Sequence, residues 1–261
     1  MLIDTHCHLT YEGLEERQAD VVRSATLAGV LRMICIGTHP ADHPRVLETL
    51  SAYGQVFGAL GIHPHHAGDA AENCADELQG AIHSSAKVLA VGECGLDYHG
   101  NSALPEAQKT IFQRQIDLAE QLRMPMILHV RDAHGDALEM MRKHPNVRFV
   151  VHCFTGTPEE CECWLALGAY IGFTGVITYK NAPDVRAACK RVPEDRILIE
   201  TDAPYLTPQA VRKIKSNEPA FTAYVAQRVA AERGWTLEQT GEITSANAVR
   251  LFGRALGAVK K

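Results

Sequence analysis

Two histidines two residues apart, His6 and His8, close the first apolar run of the chain, Leu2-Ile3-Asp4-Thr5-His6-Cys7-His8. In a strand, residues i and i+2 project to the same side, so these two imidazoles can converge on one ion. A neutral imidazole nitrogen is the commonest metal ligand among side chains. Later apolar runs end in the same kind of residue: His63 after Val56-Ile62, Glu93 after Val88-Gly92, then His129, His152 and, after Ile197-Ile199, Asp202. Four imidazoles (His6, His8, His129, His152) and two carboxylates (Glu93, Asp202) exceed what one tetrahedral ion needs. Two divalent ions sharing a carboxylate account for the surplus. Glu93 is the expected bridge, being central in strand order with two oxygens to share.

These residues need a frame that brings strand ends together. Apolar runs begin near residues 2, 31, 56, 88, 126, 147, 169 and 197. Between them lie stretches of helical periodicity, over about 12–28, 44–52, 72–84, 103–123, 133–143, 158–167 and 183–191, with two closing helices at 219–233 and 237–252. Near-continuous apolar strands are buried on both faces, as parallel strands covered by helices are. A doubly wound sheet would open with a Gly-rich phosphate turn, whereas the first loop here is His-Cys-His-Leu-Thr. The pattern predicts a single α/β domain over residues 1–261, a (β/α)8 TIM barrel with additional C-terminal helices. Active sites of such barrels lie at the C-terminal ends of the strands, where all seven residues fall.

Composition narrows the class. The chain has 261 residues, 46% hydrophobic, and a formal charge of −5. A general polyanion-coating protein would be basic, so that class is excluded; a nuclease is not, because metal ions supply local positive charge. Eight cysteines are scattered without a CxxC pair, in a chain too long for a disulfide scaffold, and read as reduced thiols of a cytoplasmic protein. Met1 leads at once into a strand without a signal-peptide pattern. No apolar run approaches the roughly 20 residues of a membrane helix. A soluble, membrane-free monomer is expected.

Beyond these patterns, Asp-Thr-His-Cys-His-Leu at 4–9, Gly-Ile-His-Pro at 61–64, Gly-Glu-Cys-Gly-Leu-Asp-Tyr at 92–98 and Leu-His-Val-Arg-Asp-Ala at 128–133 resemble the TatD family of metal-dependent deoxyribonucleases, within the amidohydrolase-like hydrolases. So do Val-His-Cys-Phe-Thr-Gly at 151–156, Glu-Thr-Asp-Ala-Pro-Tyr-Leu at 200–206 and Asn-Glu-Pro at 217–219, in consistent order from Ile3 to Phe252. The resemblance implies one ion on His6, His8, Glu93 and Asp202 and another on Glu93, His129 and His152. The ions would be Mg²⁺, Mn²⁺ or Zn²⁺, since the ligand set mixes imidazole with carboxylate.

The implied reaction is phosphodiester hydrolysis, with Asp202 as general base, Glu93 as the shared carboxylate and DNA as substrate, attacked from single-stranded or 3′ ends by a 3′-to-5′ exonuclease. The same site would serve a D-aminoacyl-tRNA deacylase or another metal-dependent ester or amide hydrolase. A non-catalytic scaffold has no use for so complete a ligand set. Around the ions, His63 is expected to bind the scissile phosphate or donate a proton, the alternative being a structural hydrogen bond. Arg131, two residues past His129, either grips a phosphate or pairs with Asp132. Glu200 either orients a histidine ligand or answers a basic residue deeper in the barrel. The basic run Arg212-Lys213-Ile214-Lys215 is a candidate nucleic-acid track, and Tyr98, His99 and Tyr205 are candidate base-stacking residues.

Overall fold

The structure is a computed structural model that describes residues 1–100 and 103–257. The rest of the expected 1–261 domain lies outside the described residues. Eight strands, β1 (Leu2–Cys7), β2 (Val30–Gly37), β3 (Val56–Leu60), β4 (Val88–Asp97), β5 (Met126–Arg131), β6 (Phe149–Val151), β7 (Tyr170–Phe173) and β8 (Ile197–Ile199), form one parallel sheet in sequence order. The sheet closes through the segments just past β1 and β8. Cys7 bridges Ala203 in parallel, the His8 amide donates to Ala203 O (2.7 Å), and the Asp202 amide donates to His6 O (2.9 Å). The fold is the expected (β/α)8 barrel.

Helices α1 (Gln18–Leu27), α2 (His43–Ala52), α3 (Cys74–His83), α4 (Pro105–Leu122), α5 (His134–Arg142), α6 (Pro158–Ala166), α7 (Pro183–Arg191) and α8 (Thr222–Arg233) alternate with the strands, and α9 (Leu237–Phe252) follows. Proline in the first turn starts α4, α6 and α7, where its missing N–H is no loss. Reciprocal capping boxes, Thr157 with Glu160 and Thr236 with Gln239, start α6 and α9.

The strands separate two apolar layers. Outward residues such as Met33, Val56, Val91, Leu128 and Val151 meet the helices. Inward residues Ile3, Ile34, Phe57, Ala90, Ile127, Val150 and Leu198 form a second cluster that Ala248, Leu251 and Phe252 of α9 join, so that last helix closes one end of the barrel. The opposite end is polar and holds the candidate site.

Strict alternation does not carry this inner face up to the polar end. Pairing of β1 with β2 shifts between Asp4 and Cys7, and pairing of β4 with β5 shifts between Val91 and Cys94. Ile3 and His6, and likewise Ala90 and Glu93, are three residues apart, yet both members face the interior. Such irregularities re-aim side chains beside active sites. On β5, by contrast, Ile127 and His129 keep the period of two.

Three boundary differences bear on the site. The first helix starts at Gln18 rather than near Glu12, because the intervening chain stays at the rim, where Tyr11 bonds Thr38 (2.7 Å). β4 continues four residues past Glu93 to Asp97. β8 stops at Ile199, and residues 200–202 extend it with single backbone bonds from Glu200 to Phe173 and from Asp202 to His6.

Candidate metal centre

The structure brings all six expected ligands together. Glu93, 3% exposed, is the hub, and its two oxygens face different neighbours. Oε2 lies 3.4 Å from His6 Nε2 and 3.8 Å from His8 Nε2. Oε1 lies 2.8 Å from His129 Nδ1, 2.8 Å from His152 Nε2 and 3.6 Å from His63 Nε2. Asp202 Oδ1 completes the first group, 3.5 Å from His6 Nε2 and 3.3 Å from His8 Nε2. The two halves touch: the His6 and His152 rings stack with centroids 3.9 Å apart.

A second set of residues, itself buried, sets these directions. Asp4 Oδ1 accepts from the amides of Thr201 (3.0 Å) and His6 (3.2 Å), and its Oδ2 from Thr201 Oγ1 (2.6 Å), tying the ligand ends of β1 and β8 together. Burial pushes the Asp4 carboxyl up to about 7. Glu200 accepts from the Cys153 amide (2.6 Å) and Thr5 Oγ1 (3.0 Å), and its Oε1 lies 3.6 Å from His152 Nδ1. It therefore braces His152 and the segment that carries it, and no lysine or arginine pairs with it among the described residues. Gly172 leaves room for it, since a Cβ there would stand 2.6 Å from Glu200 Oε1. Asp202 itself is left-handed (φ 57°), a conformation that aspartate tolerates better than most residues.

Asp97 had no role assigned from the sequence. Its Oδ2 accepts from His129 Nε2 (3.0 Å) and His65 Nε2 (2.9 Å), and its Oδ1 from the His99 amide (2.8 Å). The hydrogen on His129 is thereby placed on Nε2, leaving Nδ1 bare toward Glu93. The signal was present: Asp97 stands four residues past Glu93 on the same strand face. Tyr11, whose ring stacks on His8 at 4.5 Å, had no comparable signal.

These residues fit metal ions. His6 Nε2 and His8 Nε2 face each other at 3.2 Å, while Nδ1 of His6, His8 and His152 is buried without a hydrogen-bond partner among the described residues. Two facing ring nitrogens can share at most one hydrogen, so a lone pair is left turned inward. Four carboxylates (Glu93, Asp97, Glu200, Asp202) gather here, and no lysine or arginine pairs with them among the described residues. Buried charge of that density calls for cations. Burial alone would raise the Glu93 carboxyl, but the surrounding imidazoles of His152, His6 and His63 hold it well below the usual range. Asp202 is likewise held low against its burial, by His8, His6 and His152. Three triads bring their ligand atoms within 4.8 Å of one another: His6, His152 and Asp202; His6, His8 and Glu93; His63, Glu93 and His129.

His63 Nδ1 accepts the His65 amide (3.1 Å), so in the neutral ring the hydrogen sits on Nε2, toward the cluster. Burial pushes this imidazole down to about 3, so it is neutral and donates there. A cavity of about 690 Å³ opens over the cluster, with His63, Arg131, Asp202 and Tyr205 on its wall. Asp132 pairs with His99 (2.8 Å), and the Arg131 guanidinium has no ion-pair partner among the described residues. Tyr98 and His99 are not brought to the cluster. They line an adjoining cleft of about 790 Å³, and the Tyr98 hydroxyl donates to Asp136 (2.7 Å). In the basic run, Arg212 sits over the Tyr179 ring at 4.4 Å, while Lys213, Ile214 and Lys215 are exposed.

The model of the family described as TatD related DNase matches residues 3–253. The chain belongs to the TatD family. It is 37% identical to "3′-5′ ssDNA/RNA exonuclease TatD" of Yersinia pseudotuberculosis serotype O:3 over 261 residues, covering 96% of this chain and 99% of that protein. It is 36% identical over 254 residues to "Uncharacterized metal-dependent hydrolase YabD" of Bacillus subtilis, covering 97% and 99% of the two chains. Among solved structures, the TatD homologue YJJV of Escherichia coli K12 superposes with a TM-score of 0.91 at 31% identity, covering 96% of this chain and 97% of that one. This TatD chain is thus an enzyme, a metal-dependent hydrolase acting on ester bonds, with its candidate metal-binding residues in the cluster above. No helix among the described residues is long and apolar enough to cross a membrane.

Proposed function

We propose that this protein is a single-domain nuclease that hydrolyses the phosphodiesters of DNA from a single-stranded 3′ end, using two divalent ions. The observation that carries this reading is the division of Glu93, whose Oε2 faces His6 and His8 while its Oε1 faces His129 and His152. One carboxylate between two imidazole pairs is the arrangement of a bridging ligand. His6, His8, Glu93 and Asp202 would hold one ion and Glu93, His129 and His152 the other. When bound, the ions would polarise the phosphoryl group and make water acidic enough to attack at neutral pH. The names of the curated relatives support the substrate class.

The remaining groups divide the work around the phosphate. Asp202, ionised and at the cavity wall, accepts the proton of the attacking water as the new P–O bond forms. That proton returns to the 3′ oxygen released by the breaking P–O bond. His63 acts as a neutral Nε2–H donor to a phosphate oxygen; with its imidazole held near 3 it is too weakly basic to shuttle protons. Arg131 offers a planar fork to a neighbouring phosphate. A cytoplasmic location agrees with eight free cysteines.

The test uses metal-stripped protein re-supplied separately with Mg²⁺, Mn²⁺ or Zn²⁺, a 5′-labelled single-stranded oligonucleotide and an Asp202→Asn control. Stepwise, metal-dependent shortening that the control loses by roughly 10²- to 10⁴-fold is expected. Intact DNA with every metal, beside cleavage of a D-aminoacyl-tRNA ester, would move the same centre to a different substrate.

A further inference from the structure

Tyr205 is among the few large apolar side chains left exposed, at 53%, and it stands at the lip of the cavity over the metal centre. It is not a loose surface residue. Its amide donates to Asp202 O (2.9 Å), and its carbonyl accepts from Asn217 Nδ2 (2.6 Å). Asn217 is wholly buried, and its Nδ2 also bonds Thr201 O (2.9 Å). The Tyr205 backbone is therefore indexed to the same turn that presents Asp202.

The ring is braced from one side only. It meets His8 edge-on (centroids 6.3 Å, 67°) and Tyr11 edge-on (6.3 Å, 80°), and Tyr11 is itself stacked on His8 and bonded to Thr38. The Tyr205 hydroxyl has no hydrogen-bond partner among the described residues. A ring exposed beside a reactive centre, on a backbone fixed at both its amide and its carbonyl, has area to bury and few torsions to freeze on burying it. Lys213 and Lys215 stand exposed on the loop that Asn217 ties to Tyr205.

We propose that Tyr205 is a specificity-determining platform: the base of the terminal nucleotide stacks on it while the adjacent phosphodiester enters the metal centre. This rests on the nuclease reading above and adds the reason for a single-stranded end. A paired terminal base is held in line with its helix, whereas an unpaired one can swing away from its neighbour and lay a face on the ring.

The experiment compares wild type, Tyr205→Phe and Tyr205→Ala on two 5′-labelled single-stranded oligonucleotides that differ only at the 3′ terminus, one carrying a base and the other abasic. Base–aromatic stacking at a partly solvated ring corresponds to roughly 5- to 30-fold. Wild type should prefer the natural end by that factor in kcat/KM, mostly through KM, and Tyr205→Phe should keep the preference. Tyr205→Ala should lose that factor on the natural end and almost nothing on the abasic one, so the two deletions do not add. Equal losses on both ends, no loss on either, or a Phe variant as poor as Ala would overturn the platform. Wild type that shortens neither oligonucleotide with any metal overturns the nuclease reading and the platform with it. Calorimetric metal affinity should be unchanged in Tyr205→Ala; a loss there would make the residue a support of the centre instead.

Discussion

Replacing Asp97 by asparagine keeps shape and volume while removing the charge that holds His129. In the folded protein Asp97 Oδ2 accepts two ring N–H groups, from His129 at 3.0 Å and His65 at 2.9 Å, with its side chain 1% exposed. A hydrogen bond to a charged group contributes about 1.5–3 kcal/mol and a neutral one about 0.5–1.5, so each bond loses about 1–1.5 kcal/mol. The His65 share is discounted by about half, because that ring is 43% exposed. Of the total, about 1.5–2 kcal/mol, the His129 share of about 1–1.5 kcal/mol falls on the orientation and basicity of His129 Nδ1. The expected result is a roughly 5- to 15-fold loss of affinity for an ion that uses His129, at the lower end of what outer hydrogen-bond partners of metal ligands generally contribute. Calorimetric titration of Mn²⁺ or Zn²⁺ into stripped wild type and variant measures this, with kcat at saturating metal near wild type. Affinity within twofold of wild type, with a large fall in saturated kcat instead, would refute the assignment and make Asp97 part of the proton chemistry.

Three further outcomes follow from the same geometry. Asp4→Asn should change the pH dependence of stability in the stripped protein. The folded carboxyl titrates about 7 against 3.8 unfolded, so its contribution is full below 3.8 and is lost as pH rises to 7; chemical unfolding across pH 4–7 should show wild type losing stability relative to the variant by up to about 1.4 kcal/mol per pH unit. A flat difference would mean the carboxyl is ionised throughout. Gly95→Ala should unfold or cripple the protein by at least about 3 kcal/mol in a melting experiment, because the residue sits at φ +140° and a Cβ would lie 2.1 Å from His129 O. Arg131→Ala should raise KM for oligonucleotides roughly tenfold and Arg131→Lys should rescue it poorly, since a point charge does not reproduce a bidentate fork; full rescue by lysine in steady-state kinetics would reduce its role to charge alone.

Much of this was legible without coordinates. Strand order and the barrel follow from apolar runs at regular spacing, because parallel strands buried on both faces leave that mark in one dimension. His129 and His152 follow from it as well, standing where an inward period of two runs out into polar residues. His6 and Glu93 reach the rim although the simplest periodic argument is incomplete for both: the shifts after Asp4 and Val91 re-phase β1 and β4, and nothing in a strict alternation announces them.

Residue types and their order along the chain determined that six candidate metal-ligating side chains would meet at one rim, since a closed parallel barrel collects the C-terminal ends of its strands. Only the tertiary structure decided how those side chains divide. That Glu93 turns one oxygen to His6 and the other to His129, that Asp97 takes the hydrogen of His129, and that Asn217 anchors Tyr205 beside Asp202 are contacts between distant segments. Their directions are set by closure of the barrel and by hydrogen-bond geometry, neither of which has a period in the sequence.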